Sequence, residues 1–189
     1  MAHWSQDLYL EAWLFAATAH GAQKVPGSDR PYITHVGCVA MEVMSAIARS
    51  GDAVARPDLA VRCALLHDVM EDAGVTHLEL IERFGVEVAD GVRSLSKDER
   101  IPSKTERMRD SLERIRQQPV EVWMVKLADR ITNLQPPPPF WSPERINAYC
   151  DEASLILERL RGANAVLEAR LEEKITAYAA ELRVVLARS

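Results

Sequence analysis

Apolar residues recur at helical spacing along most of the chain, and Gly or Pro punctuates them at short intervals. Helical signals therefore dominate, and the pattern predicts an all-α fold. Residues 5–20 (SQDLYLEAWLFAATAH) set Leu8, Trp13, Leu14 and Phe15 among alanines, with Ser5 as the N-cap. Residues 21–34 hold two Gly and two Pro and read as a loop. Helical spacing resumes over 35–49 and ends near Ser50-Gly51. A helix over 57–70 begins with a Pro suited to the first turn. Thr76 with Glu79 forms a capping-box signature, and that helix stops near Phe84-Gly85. Another helix is expected over 86–96, followed by a highly charged segment, 97–109, that begins as a loop. Residues 120–134 read as a buried helix, although β-branched residues leave a strand open for 120–127. Pro136-Pro137-Pro138-Pro139 cannot be helix interior and reads as a stiff extended linker. Two long amphipathic helices, 142–161 and 164–187, separated near Gly162, complete the chain.

With 189 residues and no break in composition or internal repeat, one domain over 1–189 is expected. An apolar fraction of 48% and a charged fraction of 27% are ordinary globular values, which excludes disordered, collagen-like and coiled-coil classes. No apolar run reaches the ~18–20 residues of a membrane span. The N-terminal stretch has no basic region and carries Asp7 and Glu11, so a secretory leader is not expected. A net charge of −5 argues against a nucleic-acid polymer as partner but leaves room for a small phosphate ligand beside a local basic cluster. Cys38, Cys63 and Cys150 are odd in number and widely spaced, which predicts reduced, mostly buried thiols and a cytoplasmic location.

The stretch ALLHDVMED (64–72) carries the most chemistry. His67 and Asp68 follow an apolar run, and Glu71 and Asp72 lie four residues beyond each of them, one helical turn on. Such a cluster is commonly a solvated helix end. The alternative gains weight from His35 at a loop-to-helix junction and from Asp129 inside an otherwise buried pattern. A metal is one way to remove the cost of a buried carboxylate; pairing with Lys126 or Arg130 is another. A lone His35 is more commonly a cap or a core histidine. Together, His35, His67, Asp68 and Asp129 would form a mixed nitrogen–oxygen site suited to Mn, Fe or Zn rather than Ca or Mg. His20 and His77 lack matching partners and read as surface or capping residues, and the four Trp as core or packing residues. The charged segment Lys97 to Arg109 reads as a solvated loop, with an approach of its cations to phosphates as the alternative.

The pattern H…HD…D resembles the HD-domain metal-dependent phosphohydrolases. PYITH (31–35), ALLHDVMED (64–72), FGVEVADGVRSLSK (84–97) and VKLADRITNL (125–134) are similar to the hydrolase domain of RelA/SpoT-type enzymes, over about residues 5–175. The size points to the stand-alone small alarmone hydrolases. WSPERINAYCDEA (141–153) also resembles their later helices. The resemblance implies removal of the 3′-diphosphate from ppGpp or pppGpp, with Mn²⁺ held by His35, His67, Asp68 and Asp129. It implies that Glu71 and Asp72 activate or orient the attacking water. It further implies substrate contacts from Asn133 and Lys24, and weaker ones from Lys104, Arg145 and Tyr149. The chain departs from the pattern in three places: Gln23-Lys24 stands where consecutive Arg and Lys are common, Val36 follows His35 where Pro is common, and four prolines follow the last motif. Other readings are a phosphatase acting on NADPH or another nucleotide, and a non-catalytic regulatory domain on the same fold. The C-terminal helices also allow a homo-oligomer.

Overall fold

A computed structural model describes residues 3–138 and 140–187. Among these residues ten α-helices and no strands occur. They are α1 (Gln6–His20), α2 (Ile33–Ser50), α3 (Pro57–Leu66), α4 (Val69–Asp72) and α5 (His77–Phe84). Then follow α6 (Val86–Leu95), α7 (Lys104–Arg116), α8 (Val120–Asn133), α9 (Pro143–Arg159) and α10 (Ala165–Ala187). The strand alternative for 120–127 is overturned, since these residues lie in α8. Burial on nearly all sides explains the β-branched content of that helix: Val122, Val125 and Ile131 fill the core together with Met124, Leu127 and Ala128.

The helix ends follow local chemistry. Ser5, Thr76, Ser103 and Ser142 each accept a backbone N–H three residues on, at 3.2–3.3 Å. Asn164 caps α10 by accepting from Val166 and Leu167, while Glu168 reaches back to the N–H groups of Gly162 and Asn164. Helix α7 lies where the sequence marked only a preceding loop. Its charges mask a narrow apolar stripe of Met108, Leu112 and Ile115. In the four-proline run, Pro139 lies outside the described residues, as do residues 1, 2, 188 and 189 of the expected domain.

Helix α8 runs through the centre and touches α2, α3, α6, α7, α9 and α10. A single cluster of buried apolar residues links all of these helices. The Trp side chains are partly buried and pack against that cluster. Of the thiols, Cys63 and Cys150 are buried and Cys38 is exposed. Polar ties add register: Arg170 of α10 grips Glu42 of α2 through two bonds of 2.6 and 2.7 Å, and the buried Glu121 accepts from the Arg56 N–H. No helix among the described residues is long and apolar enough to cross a membrane.

The spacing predicts one continuous helix over 57–70, but the chain forms α3, a turn at His67-Asp68, and then α4. Asp68 has φ −107° and ψ −1°, away from the helical centre. Neighbours on an unbroken helix point about 100° apart. The break lets His67 and Asp68 meet at 2.7 Å instead.

At the crossing of α3, α6 and α8, Gly91 leaves no room for a side chain. A Cβ there would sit 2.8 Å from Cys63 Sγ and 3.1 Å from a Val122 methyl. Gly91→Ala is therefore expected to lower the melting temperature. Overpacking costs roughly 1–3 kcal/mol, more than the ~1 kcal/mol that Ala gains over Gly in a helix. Cys63→Ala in the same background should recover part of the loss. Calorimetry of the double-mutant cycle checks both, and strictly additive losses would refute the steric account.

Candidate active site

Four segments converge on one cleft. His35 enters from the first turn of α2, His67 and Asp68 from the α3–α4 break, Glu71 and Asp72 from α4, and Asp129 from the buried face of α8. His35 Nε2 lies 3.3 Å from His67 Nε2, 3.7 Å from Asp68 Oδ2 and 3.5 Å from Asp129 Oδ1. One ligand atom each from His35, His67 and Asp129 fall within 4.8 Å of one another. Asp68 Oδ2 adjoins both rings.

The hydrogen bonds fix what these atoms present. His67 Nδ1 is 2.9 Å from the Ala64 carbonyl oxygen, which only accepts, so Nδ1 carries a proton. In a neutral ring Nε2 is then a lone pair, yet it faces Asp68 Oδ2 at 2.7 Å and His35 Nε2 at 3.3 Å. Lone pairs that close repel unless a proton or a cation stands among them. The donor set of two imidazoles and two carboxylates therefore fits a divalent ion.

Other side chains hold the acids in place. Tyr32 donates its hydroxyl to Asp68 Oδ2 at 2.6 Å. Lys126 donates to Asp129 Oδ2 at 3.0 Å, and Asn133 donates to Oδ1. Glu71 is gripped twice by Lys97, through the backbone N–H at 2.9 Å and the ammonium at 3.0 Å. Asp72 accepts from Gln23 at 3.0 Å. Tyr32 and Lys97 were not singled out by spacing, though both lie inside the quoted motifs PYITH and FGVEVADGVRSLSK. Lys97 lines the cleft, so of the two readings of its segment the solvated loop does not hold at that residue.

The remaining predicted contacts are spread out. Asn133 lines the cleft. Lys24 is exposed and paired with Asp29 at 2.6 Å, on a short loop closed by a bridge between Lys24 and Pro31. Lys104 opens α7 and is exposed. Arg145 stacks over Trp141, 4.0 Å from the ring centre. Tyr149 lies beneath Arg130, which also pairs with Glu152. None of these four lines the cleft. His20 is not a surface residue but is buried, and His77 bonds Asp90 at 2.8 Å. Asp90 lies 13 residues beyond His77, while the partner of His20 is Gln23, three residues on, a neutral amide that no charge pattern marks.

Charge sharpens the picture. Burial opposes a charge on His67, but Asp68 outweighs it and raises the imidazole to about 9. Burial likewise opposes ionisation of Asp68, and His67 outweighs it to bring the carboxyl down to about 2. Asp129 is also buried, yet Lys126 and the two histidines hold it well below the usual carboxylate range. Burial and the facing Asp68 push the Tyr32 phenol up, so it stays a donor. Burial resists the charge of Lys97, but Glu71 prevails and raises it.

These shifts predict a stability profile for the metal-free chain. His67, raised from 6.5 to about 9, contributes fully below pH 6.5 and loses its contribution as pH rises through 9. Asp68, lowered from 3.8 to about 2, contributes above pH 3.8 and loses its contribution as pH falls toward 2. Melting temperature in chelator should therefore drop between about pH 6.5 and 9, and a divalent ion in place of the proton should flatten that drop. Differential scanning fluorimetry across this range checks it; a flat profile in chelator contradicts the assigned protonation.

The family model described as HD domain matches residues 12–166. The guanosine-3′,5′-bis(diphosphate) 3′-pyrophosphohydrolase of Xenopus tropicalis is 34% identical over 171 residues, covering 87% of this chain and 91% of the relative. The human enzyme of that name is 33% identical over 168 residues, covering 86% and 90%. A solved structure of a metazoan orthologue of SpoT, described as hydrolysing ppGpp, superposes with a TM-score of 0.76 at 28% identity, over 93% of this chain and 98% of that one. The clustered histidines and aspartates, the helical architecture and these likenesses agree: the chain belongs to the HD-domain family and is a hydrolase.

Proposed function

We propose that the chain is a Mn²⁺-dependent hydrolase of ppGpp and pppGpp, releasing pyrophosphate from the 3′ position to leave GDP or GTP. The observation that carries this reading is the donor set at the α3–α4 break, together with relatives that match nearly end to end and bear that activity in their names. His35, His67, Asp68 and Asp129 would hold the ion. When bound, it supplies Lewis-acid polarisation of the phosphoryl oxygens. Water adds through its oxygen to the phosphorus bonded to the 3′-oxygen, that P–O bond breaks, and the 3′-oxygen leaves with a proton. Glu71 and Asp72 orient the water, and one of the pair accepts its proton. Lys97 and Lys126 line the cleft and offset the charge of the diphosphate.

The cleft encloses about 120 Å³. Its lining of carboxylates and lysines suits an ion and the reacting phosphoryl group. Asn133 contacts the substrate within the cleft. Lys24, Lys104, Arg145 and Tyr149 are then available for nucleoside and outer phosphates. The free thiols suit a reducing, cytoplasmic compartment. The long pair α9–α10 is the surface we assign to any homo-oligomer.

Two results are expected. Purified protein with Mn²⁺ should release pyrophosphate from ppGpp; orthophosphate from NADPH with ppGpp untouched would favour the alternative substrate. Asp129→Ala should abolish metal binding and turnover together, whereas Glu71→Gln and Asp72→Asn should keep the metal and cut kcat by about 10²–10⁴-fold for lost proton transfer. Metal titration by calorimetry beside the turnover assay separates the roles. Metal loss in the Glu71→Gln enzyme would remove that residue from the water.

A further inference from the structure

Glu71 and Asp72 are neighbours in sequence but are held in different ways. Both oxygens of Glu71 are taken by Lys97. Asp72 is more exposed, and among the described residues Gln23 is the side chain that bonds it, through Oδ2 at 3.0 Å. A carboxylate only accepts, so the Gln23 Nε2 group faces Asp72 and Oε1 faces the other way. There it meets His20 Nδ1 at 2.8 Å, which must therefore donate. The order of atoms along His20, Gln23 and Asp72 is thus forced, with no alternative flip of the amide.

His20 is a costly residue for this place. It closes α1, is 5% exposed, and its Nε2 is buried with no hydrogen-bond partner. Its ring packs against Tyr32, with centroids 4.9 Å apart. A phenylalanine would pack there without leaving a polar atom unpaired. What the imidazole adds is the bond to Gln23. The backbone is tied at the same point: the Gln23 N–H bonds the His20 carbonyl, and the Gln23 carbonyl accepts from the Tyr32 N–H, each at 2.8 Å. Tyr32 in turn bonds Asp68. The base of the α1–α2 loop therefore holds both Asp68 and Asp72, from a position that spacing alone gave no reason to select.

We infer that Gln23, oriented by His20, is a positioning residue for Asp72, and that it sets the direction in which the unbonded Asp72 Oδ1 meets the attacking water. The inference rests on the proposed hydrolase reading for the role of Asp72, while the tether itself does not depend on it. Gln23 is a loop residue, so Gln23→Ala and the near-isosteric Gln23→Glu should fold. Gln23→Glu keeps an acceptor for His20 and places a carboxylate against Asp72. His20→Phe keeps the packing and removes the donor.

Turnover of ppGpp with Mn²⁺ should fall about tenfold in kcat for Gln23→Ala and Gln23→Glu, and about threefold for His20→Phe, with KM and melting temperature near wild type. In an Asp72→Asn background, Gln23→Ala should cost nothing further. Additive losses, or a rise in KM at unchanged kcat, would overturn the positioning role and make Gln23 a structural or substrate-contacting residue. A second measurement needs no substrate. In nitrogen-15 NMR the Gln23 side-chain amide should be shifted from the free-glutamine position, and Asp72→Ala should move it toward that position. An amide that already sits at the free position overturns the tether, whether or not ppGpp is the substrate. An untethered amide thus fails this inference alone, whereas a tethered amide in a protein that leaves ppGpp intact fails the hydrolase reading.

Discussion

The structure turns on the burial of the Asp129 carboxylate one turn before the C-terminal end of its most enclosed helix, α8. Alone there, a charge would cost several kcal/mol even after relaxation. It is tolerated because Lys126 one turn back, Asn133 one turn on and two imidazoles across the cleft all face it. The same arrangement obliges α2 and the α3–α4 break to lie against α8. The apolar core and the charged site are therefore one construction: Val122, Val125 and Leu127 seat the helix, and Asp129 dictates which partners come to its polar patch.

The cleft divides its acids by their partners. Asp68 and Asp129 sit among imidazoles and donors in a way that leaves a position for a cation. Glu71 is clamped to Lys97, and Asp72 is held by a neutral amide. Four carboxylates in so small a space would repel one another, and each has its own donors: Tyr32 for Asp68, Lys97 for Glu71, Gln23 for Asp72, and Lys126 and Asn133 for Asp129.

Much of this was legible beforehand, for local reasons. Caps at Ser5 and Thr76, the proline at the start of α3 and the glycine breaks at Gly51, Gly85 and Gly162 are encoded within a few residues. The candidate ligands were legible because imidazoles and carboxylates beside apolar runs are chemically conspicuous. What escaped was non-local. The β-branched stretch 120–127 could be strand or helix until its burial decided the matter. The polar composition of α7 hid its apolar stripe. His20 reads as a surface or capping residue because its partner, Gln23, gains meaning only through Asp72, 49 residues further on.

The sequence by itself determined the helical class, most helix ends and the residue types that gather at the site, since these follow from periodicity, capping and side-chain chemistry over short spans. Only the tertiary structure decided that the helix breaks at His67-Asp68, that Lys97 and Tyr32 brace the acids, and that Lys24 and Arg145 stand away from the cleft. Those outcomes depend on which distant surfaces pack together. That choice is made by the shape of the shared core, which no local pattern specifies.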